Sequence, residues 1–261
     1  MIERLSVVVP AFNEQDYIGG TLESLYSTQK PSAETSFVIV DNGSTDKTQE
    51  VIALFLKEHP DFPLTVLVEA EKGTGSASDT GFRFAIEQQQ ADIIARTDSD
   101  TVVSSVWLRA IEDIFIRREN AKLVTGPVHP LRDRWYKPID LVAFPLSRAI
   151  SRGLKEVGLL TIPSKSILTP GHNMATQASA YEAVGGFPRT SIDDTNEDIE
   201  YRNRIIEKYG VGSLEFTRTM SVAISMRRNR QVGYLGLFSY YINRGDAERR
   251  LRASKGTIDV R

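Results

Sequence analysis

Cysteine is absent from the 261 residues of the chain. Its absence excludes a disulfide framework, a thiol nucleophile and a thiolate metal site. A chain without disulfides fits a reducing compartment, so we expect a cytoplasmic location.

Long apolar runs are also lacking. The first run, Leu5–Val9, is too short for the core of a signal peptide. The longest apolar region, about residues 141–160, is interrupted by Pro145 and Arg148 among others, and no stretch approaches the roughly 18 residues that span a bilayer. We therefore expect a soluble protein, with peripheral contact at the inner face of a membrane left open.

Neither sign of charge is in large excess, because 32 Lys and Arg residues face 34 Asp and Glu residues, for a net charge of −2. No global field draws such a chain to nucleic acid, and no nucleic-acid partner is expected. The hydrophobic fraction of 41% is enough to bury a sizeable core.

The first 130 residues alternate short apolar runs with segments of helical period. The predicted strands are Leu5–Pro10, Phe37–Asp41, Leu64–Val68, Asp92–Thr97 and Lys122–Val128. The predicted helices between them are Gln15–Ser27, Asp46–Glu58, Gly75–Gln88 and Ser105–Arg118. This alternation predicts an α/β fold with a mostly parallel sheet flanked by helices, in which ligands bind beyond the carboxyl ends of the strands.

Two acidic sites follow predicted strands. Asp41 ends one strand, and Ser44 and Asp46 are placed to cap the next helix, with Asp46 and Gln49 as a possible capping box. That arrangement frees Asp41 to accept a hydrogen bond from a nucleotide base. Asp98-Ser99-Asp100 ends another strand, and two carboxylates so close together call for a cation such as Mg²⁺ or Mn²⁺.

Two further motifs lie in the second half of the sequence. Glu197-Asp198 starts a predicted helix, where acids offset the helix dipole but can also serve as a general base. Gly171-His172-Asn173 joins a glycine turn to a short strand. A structural role for His172 is favoured there, because no nucleophile pattern surrounds it.

Together these stretches resemble the family 2 glycosyltransferases, whose catalytic domain has the GT-A fold. The matching pieces are residues 7–14 (VVVPAFNE), residues 40–46 (VDNGSTD), Asp98-Ser99-Asp100, Gly171-His172-Asn173, residues 184–187 (VGGF) and Glu197-Asp198. They occur in the family's order and at its usual spacing over about residues 5–205. Each piece alone is a modest signal, and the ordered set is specific.

The resemblance implies a role for each position. Pro10, Ala11, Phe12, Glu14, Asp41, Lys72, Asp98 and Ser99 would line the donor site, with Asp41 contacting the base. Asp100 would hold the metal on the diphosphate, and Asp198 would be the catalytic base beside Glu197. Gly171, His172 and Asn173 would lie on the acceptor side. The implied reaction is an inverting transfer of one sugar from a nucleotide diphosphate-sugar, with UDP favoured over GDP.

The sequence departs from the family pattern in three places. Lys72-Gly73-Thr74-Gly75 replaces a common Asn-x-Gly segment, which leaves the polar roles of Lys72 and Asp79 open. The Gln-x-x-Arg-Trp signature of processive synthases is missing, which favours addition of single sugars. The usual Gly-Gly-Asn loop reads Gly171-His172-Asn173.

Residues 1–226 are predicted to form the catalytic domain, with a nucleotide-sugar half to about residue 130 and an irregular acceptor half after it. Residues 227–261 form a basic, aromatic tail with three interpretations: a helix packed on the domain, a membrane contact and a diphosphate contact. An inactive nucleotide-sugar binding module, a nucleotidyltransferase and a retaining transferase remain as alternatives. The acceptor (a lipid-linked sugar, a saccharide or a small metabolite) and the oligomeric state are left open by the sequence.

Overall fold

The structure is a computed structural model that describes residues 2–142, 146, 171–189, 197–227 and 230. The strands are β1 Arg4–Ala11, β2 Glu34–Asp41, β3 Leu64–Val68, β4 Ile93–Thr97, β5 Thr101–Val103, β6 Leu123–Thr125, β7 Val128–Pro130, β8 Asn173–Gln177, β9 Leu214–Phe216 and β10 Val222–Ile224. The helices are α1 Ile18–Ser27, α2 Thr48–Glu58, α3 Thr74–Glu87, α4 Trp107–Arg117, α5 Ala178–Ala183 and α6 Glu197–Tyr209.

The main sheet has seven strands in the order β3-β2-β1-β4-β8-β6-β9. Strands β3, β2, β1 and β4 run parallel, and β8 lies antiparallel between β4 and β6. A second sheet has the order β5-β10-β7. The prediction of an α/β fold with a mostly parallel central sheet is therefore confirmed.

The central strands are buried because helices cover the sheet. In β1, every residue from Leu5 to Ala11 is buried, as expected of a parallel strand that is covered on both faces. Helix α3 packs closely on this strand and its neighbour β2 at Gly81. A Cβ added there would lie 2.4 Å from Val8 Cγ1 and 2.9 Å from Val40 Cγ2, too close for a normal contact. The glycine therefore sets how closely the helix approaches the sheet.

Replacing Gly81 with Ala should lower the free energy of unfolding by about 1–3 kcal/mol, the usual cost of overpacking a core. Gly20→Ala is the matched control, because nothing lies within 4 Å of an added Cβ at that helical position. The control should be neutral or stabilise the protein by up to about 1 kcal/mol. Chemical denaturation of both variants measures the difference, and equal stabilities would show that α3 does not need the close approach.

Two local predictions are wrong. The predicted strand Lys122–Val128 is two short strands, β6 and β7, separated by Gly126 and Pro127; proline has no N–H for the ladder. The predicted capping box at Asp46 does not form either. Helix α2 begins at Thr48, Asp46 accepts a hydrogen bond from the Thr48 N–H at 2.9 Å, and Gln49 turns instead to Asp41.

An aromatic cluster holds helix α6 against the sheet. Tyr201 of α6 packs on Phe187 and Tyr181, with ring centroids 4.8 and 5.4 Å apart, and Phe82 of α3 lies 4.7 Å from Tyr181. The Tyr201 hydroxyl shares a hydrogen bond of 2.7 Å with the hydroxyl of Thr176 on β8. These contacts fix the helix that begins with Glu197 and Asp198.

The chain forms two compact units, residues 1–129 with 167–223 and residues 130–166 with 224–261. The division into catalytic halves and a tail from residue 227 stays a prediction. The part of the tail from residue 231 on lies outside the described residues, as does most of the helix predicted near Ile139–Ile150. Within the described ranges, no helix has the length and apolar character to cross a bilayer.

Candidate active site

The sheet topology brings the predicted site residues to one edge. Ala11 at the end of β1 is paired with Asp41 at the end of β2. Thr97, at the end of β4, is paired with Asn173, the first residue of the antiparallel strand β8. The loops after β1, β2 and β4 and the loop before β8 therefore meet at the same edge, where ligands bind in sheets of this kind.

Asp41 is fully buried, and both of its carboxylate oxygens accept hydrogen bonds. Oδ1 accepts from the Ser44 N–H at 3.0 Å, and Oδ2 accepts from the Gln49 side-chain amide. The sequence suggested that capping by Ser44 and Asp46 would leave Asp41 free to bind a ligand. In the structure, both oxygens of Asp41 already accept hydrogen bonds within the protein. A base N–H would share the carboxylate with Gln49 or displace it, and contact with a base stays a prediction for Asp41.

Lys72 joins the loops that follow β1, β2 and β3. Its ammonium donates to the carbonyls of Asn42 and Gly43 at 2.6 and 3.0 Å and lies 4.5 Å from the centre of the Phe12 ring. The Asn42 amide in turn donates to the carbonyls of Glu69 and Glu71 at 2.9 and 2.8 Å. Lys72 thus supports the loops of the predicted donor site, whether or not it also touches a ligand.

The other predicted donor residues near β1 and β4 are largely enclosed. Pro10, Ala11, Glu14 and Ser99 are buried, while the Phe12 ring is half-buried. The Ser99 carbonyl accepts a hydrogen bond of 2.8 Å from Thr21 Oγ1 on α1. These residues can shape the site through the backbone and packing, and their contact with a donor remains a prediction.

The buried guanidinium of Arg96 connects the acids of β4 and α6, and sequence analysis missed it. Its Nη2 donates to Asp98 Oδ1 at 3.2 Å and to Glu197 Oε1 at 3.4 Å. Only 2% of the Arg96 side chain is exposed, and an added Cβ on Gly171 would lie 3.1 Å from its Cζ. One side chain therefore holds the Asp98 loop, the Glu197 helix and the Gly171 turn together.

The charges around Arg96 shift each other's protonation. Burial raises the pKa of Glu197, the Arg96 charge lowers it, and the Asp198 charge raises it again, for a net shift upward. Burial lowers the pKa of Arg96, but the nearby carboxylates of Asp98 and Glu197 outweigh burial and raise it. Arg96 therefore remains charged and compensates two carboxylates that would otherwise repel each other.

Asp198 is the second residue of α6 and lies beside the turn before β8. Its Oδ2 accepts from the Gly171 N–H at 3.1 Å and its Oδ1 from the Ile199 N–H at 2.8 Å. The carbonyl of His172 accepts a hydrogen bond of 3.1 Å from Thr97 Oγ1. The predicted base and the predicted acceptor-side turn are therefore in direct contact at the end of β4.

Asn173 has a different environment from Gly171 and His172, the two residues before it. Its side chain is fully buried, and its Oδ1 accepts from Trp107 Nε1 at 2.9 Å. Its Nδ2 donates to the carbonyls of Met220 and Pro127 at 2.8 and 3.2 Å. Any acceptor-side role of Asn173 thus acts through packing, while direct contact by Gly171 and His172 stays a prediction.

Asp98 and Asp100 fit a hard divalent cation by their chemistry. Both offer oxygen ligands, which suit Mg²⁺ and Mn²⁺; the Asp98 side chain is 33% exposed, and Asp100 is half-buried. Among the described residues, the ligand atoms of three His, Asp or Glu side chains come within 4.8 Å of one another only at Glu23 on α1, Glu58 at the end of α2 and the next residue, His59. Within the described part of the chain, Asp98 and Asp100 belong to no such group of three, and a Mg²⁺ ion held by one or two carboxylates usually keeps several waters.

Asp79, which the sequence left open, belongs to an internal network. It is fully buried and accepts hydrogen bonds from Tyr181 at 2.7 Å, Arg83 at 2.9 Å and Arg189 at 3.3 Å. Arg189 also donates to Glu69 and Glu71, at 2.8 and 2.9 Å. Asp79 therefore joins α3 to the segment after α5.

The family model for glycosyl transferase family 2 matches residues 6–185 of the chain. Among curated proteins, a β-monoglucosyldiacylglycerol synthase of a Nostoc species is 23% identical over 91% of the chain and 50% of its own length. A poly-β-1,6-N-acetyl-D-glucosamine synthase of Staphylococcus epidermidis is 33% identical over 48% of the chain and 28% of its own length. The chain therefore spans half or less of the length of these relatives.

Solved structures share the fold. TarS of S. aureus, residues 1–349, in complex with UDP-GlcNAc has a TM-score of 0.61 at 16% identity, covering 93% of this chain and 67% of that one. Glucosyl-3-phosphoglycerate synthase of Mycobacterium tuberculosis, in complex with Mn²⁺, UDP and phosphoglyceric acid, has a TM-score of 0.58 at 18% identity, covering 92% and 78%. The predicted GT-A fold is confirmed by these neighbours.

Proposed function

The chain belongs to glycosyl transferase family 2, and from that premise we propose that it transfers one sugar from a nucleotide diphosphate-sugar to an acceptor hydroxyl, with inversion. The observation that carries the proposal is the contact of the Asp98 loop with the Glu197-Asp198 helix through Arg96. This contact joins the residues proposed to bind the donor and the metal to the helix that carries the proposed general base, Asp198.

The two groups of residues have different roles in a single in-line displacement at the anomeric carbon. Asp198 would take the proton of the acceptor hydroxyl as that oxygen attacks the anomeric carbon. Asp98 and Asp100 would hold a divalent cation, which when bound stabilises the leaving diphosphate. Arg96 would keep Asp98 and Glu197 in place and offset their charge. No nucleophile of the protein is required.

The donor is proposed to be a UDP-sugar, with Mg²⁺ or Mn²⁺ as the metal. The support comes from neighbours of the same fold, whose structures hold UDP-GlcNAc in one case and UDP with Mn²⁺ in another. The names of the relatives and neighbours specify different products, including a glucolipid, a polysaccharide and a glucosylated phosphoglycerate. The proposal therefore covers the donor and leaves the acceptor class to experiment.

The test offers UDP-glucose or UDP-GlcNAc as the donor with a panel of lipid, saccharide and phosphorylated small acceptors. Release of UDP measures the transfer. NMR of the product then gives the anomeric configuration. A product of inverted configuration supports the proposal. A retained configuration would contradict inversion, and release of pyrophosphate from a sugar phosphate and UTP would favour a nucleotidyltransferase instead.

Removing the metal should lower the transfer rate by about a thousandfold or more, because a Lewis acid supplies several kcal/mol of charge stabilisation to the leaving group. The measurement compares the rate in chelator with the rate after Mn²⁺ or Mg²⁺ is restored. Circular dichroism in chelator checks that the fold persists. A full rate in chelator would overturn the metal's part in the reaction.

A further inference from the structure

Four apolar side chains are exposed close together in the second compact unit. The exposed fractions of Ile139, Leu141, Val142 and Leu146 are 58%, 53%, 62% and 53%. Single exposed hydrophobic residues are ordinary on protein surfaces. Four such side chains within eight positions of the chain are a local concentration, and apolar side chains exposed together mark interaction surfaces more often than single ones do.

The acidic residues of the same stretch are turned inward. Asp140 is fully buried, ion-paired with Arg230, and accepts a hydrogen bond from the Lys137 N–H at 2.7 Å. Asp133 is half-buried and accepts from Ser225 Oγ at 2.7 Å and from the Trp135 N–H at 2.9 Å. Neither carboxylate contributes an unpaired negative charge to the outer surface.

The basic residues of the stretch are turned outward. Across residues 131–142, all of which the structure describes, every charged side chain in the exposed class is a base: Arg132, Arg134 and Lys137. Arg132 lies 5.8 Å from the centre of the Tyr136 ring and Arg134 lies 5.6 Å from that of Trp135. We call the exposed side chains of this segment the basic–apolar surface (Arg132, Arg134, Lys137, Ile139, Leu141 and Val142); it offers basic and aliphatic groups within eleven residues.

This combination selects among partners. A nucleic acid would bind the basic side chains but leave the aliphatic side chains in water. An apolar protein partner would cover the aliphatic side chains but would have to desolvate three cationic side chains. An anionic bilayer uses both, because aliphatic side chains enter the acyl boundary while Lys and Arg reach the head groups. We propose that the basic–apolar surface binds anionic lipid membranes and holds the protein at a bilayer.

The surface differs from the tail after residue 227, and it does not depend on the chemistry of the active site. Trp135 and Tyr136, beside the basic residues and half-buried, belong to the residue types that concentrate at membrane–water boundaries. Each Lys or Arg near an anionic surface strengthens binding by about fivefold. The attraction must weaken as salt rises.

Flotation of the full chain with phosphatidylcholine vesicles, with and without phosphatidylglycerol, tests the proposal. We expect binding to the anionic vesicles alone, weakened by salt. The double variant Leu141→Glu/Val142→Glu should lower the partition coefficient tenfold or more, because it removes apolar insertion and adds repulsion. Leu54→Glu/Ile116→Glu is the matched control, since these two side chains are 56% and 59% exposed on α2 and α4, and it should bind normally.

Two further measurements separate the sources of binding. Arg249→Gln/Arg250→Gln/Arg252→Gln changes only the tail and should leave most of the binding intact. Brominated lipid should quench Trp135 fluorescence and lose this effect in Trp135→Phe, because the other tryptophan, Trp107, is fully buried. The proposal is overturned by no binding to anionic vesicles, by loss of binding in the tail variant alone, or by equal binding of the Leu141/Val142 variant and its control.

Discussion

Asp198→Asn should lower kcat for sugar transfer by about 100- to 10,000-fold, the range that a general base contributes. Asparagine keeps the shape of the side chain, and its one oxygen can still accept from the Gly171 N–H, as Asp198 Oδ2 does at 3.1 Å, while the bond from the Ile199 N–H to Oδ1 is lost. It cannot accept the proton of an acceptor hydroxyl. Single-turnover transfer at saturating donor measures the effect, and calorimetric binding of UDP should remain unchanged.

Glu200→Gln is the control for that variant. Glu200 lies in the same first turn of α6, is 46% exposed, and is ion-paired with Arg204 four residues on. The substitution removes a carboxylate from the same helix end without touching the proposed proton path, so the rate should change little. A normal rate for Asp198→Asn would remove it as the base and favour a retaining mechanism.

Arg96→Met should lower the free energy of unfolding at neutral pH by about 3–5 kcal/mol, the cost of removing one partner from a buried ion pair. Methionine fills part of the space but leaves Glu197 buried without its cation. Arg117→Met is the control, since Arg117 is 74% exposed and 3.6 Å from Asp113, and exposed pairs of this kind contribute about 0–1 kcal/mol. Urea denaturation of both variants gives the comparison.

The loss in Arg96→Met should also depend on pH. Burial raises the pKa of Glu197 in the folded state, so the folded state binds more protons than the unfolded state just above the ordinary pKa of glutamate. The Glu197 contribution to stability therefore falls as pH rises through that window. The variant should accordingly lose less stability in acid than at neutral pH, and a loss that is the same at both would show that Glu197 is not the group left uncompensated.

Hydrophobic pattern was enough to predict the parallel half of the fold. The apolar runs Val7–Ala11 of β1 and Phe37–Val40 of β2 are buried, which is typical of strands covered on both faces. The acids that end or follow these runs must then lie at the carboxyl edge. The pattern fails for β5, β9 and β10, each three residues long. Strands that short carry too few alternations to stand out from loops.

The site residues that sequence analysis missed are those whose partners are distant in the chain. Arg96 sits in an apolar strand, and its partner Glu197 is 101 residues away. Asn42 bridges to the loop after β3, 27 to 29 residues on. The one available signal for Arg96 was a charged residue inside a buried strand, since such a charge needs a buried partner.

Asp41 shows the opposite case, in which position was predicted and environment was not. Its place at a strand end follows from the sequence, but its contact with Gln49 does not, and helix α2 starts at Thr48, two residues later than predicted. Helix boundaries are the least reliable part of a sequence prediction, because caps compete over a residue or two.

The most direct test of the proposed donor site is the thermal midpoint of the protein with UDP, GDP, CMP or dTDP, each with and without Mn²⁺. A ligand that binds only the folded state raises the midpoint by mass action, by about 5 °C or more at a hundredfold excess over Kd. We predict that UDP with Mn²⁺ gives the largest shift and that Asp100→Asn removes its metal-dependent part. No shift with any nucleotide, from protein that melts cooperatively, would contradict the donor site and leave only the fold.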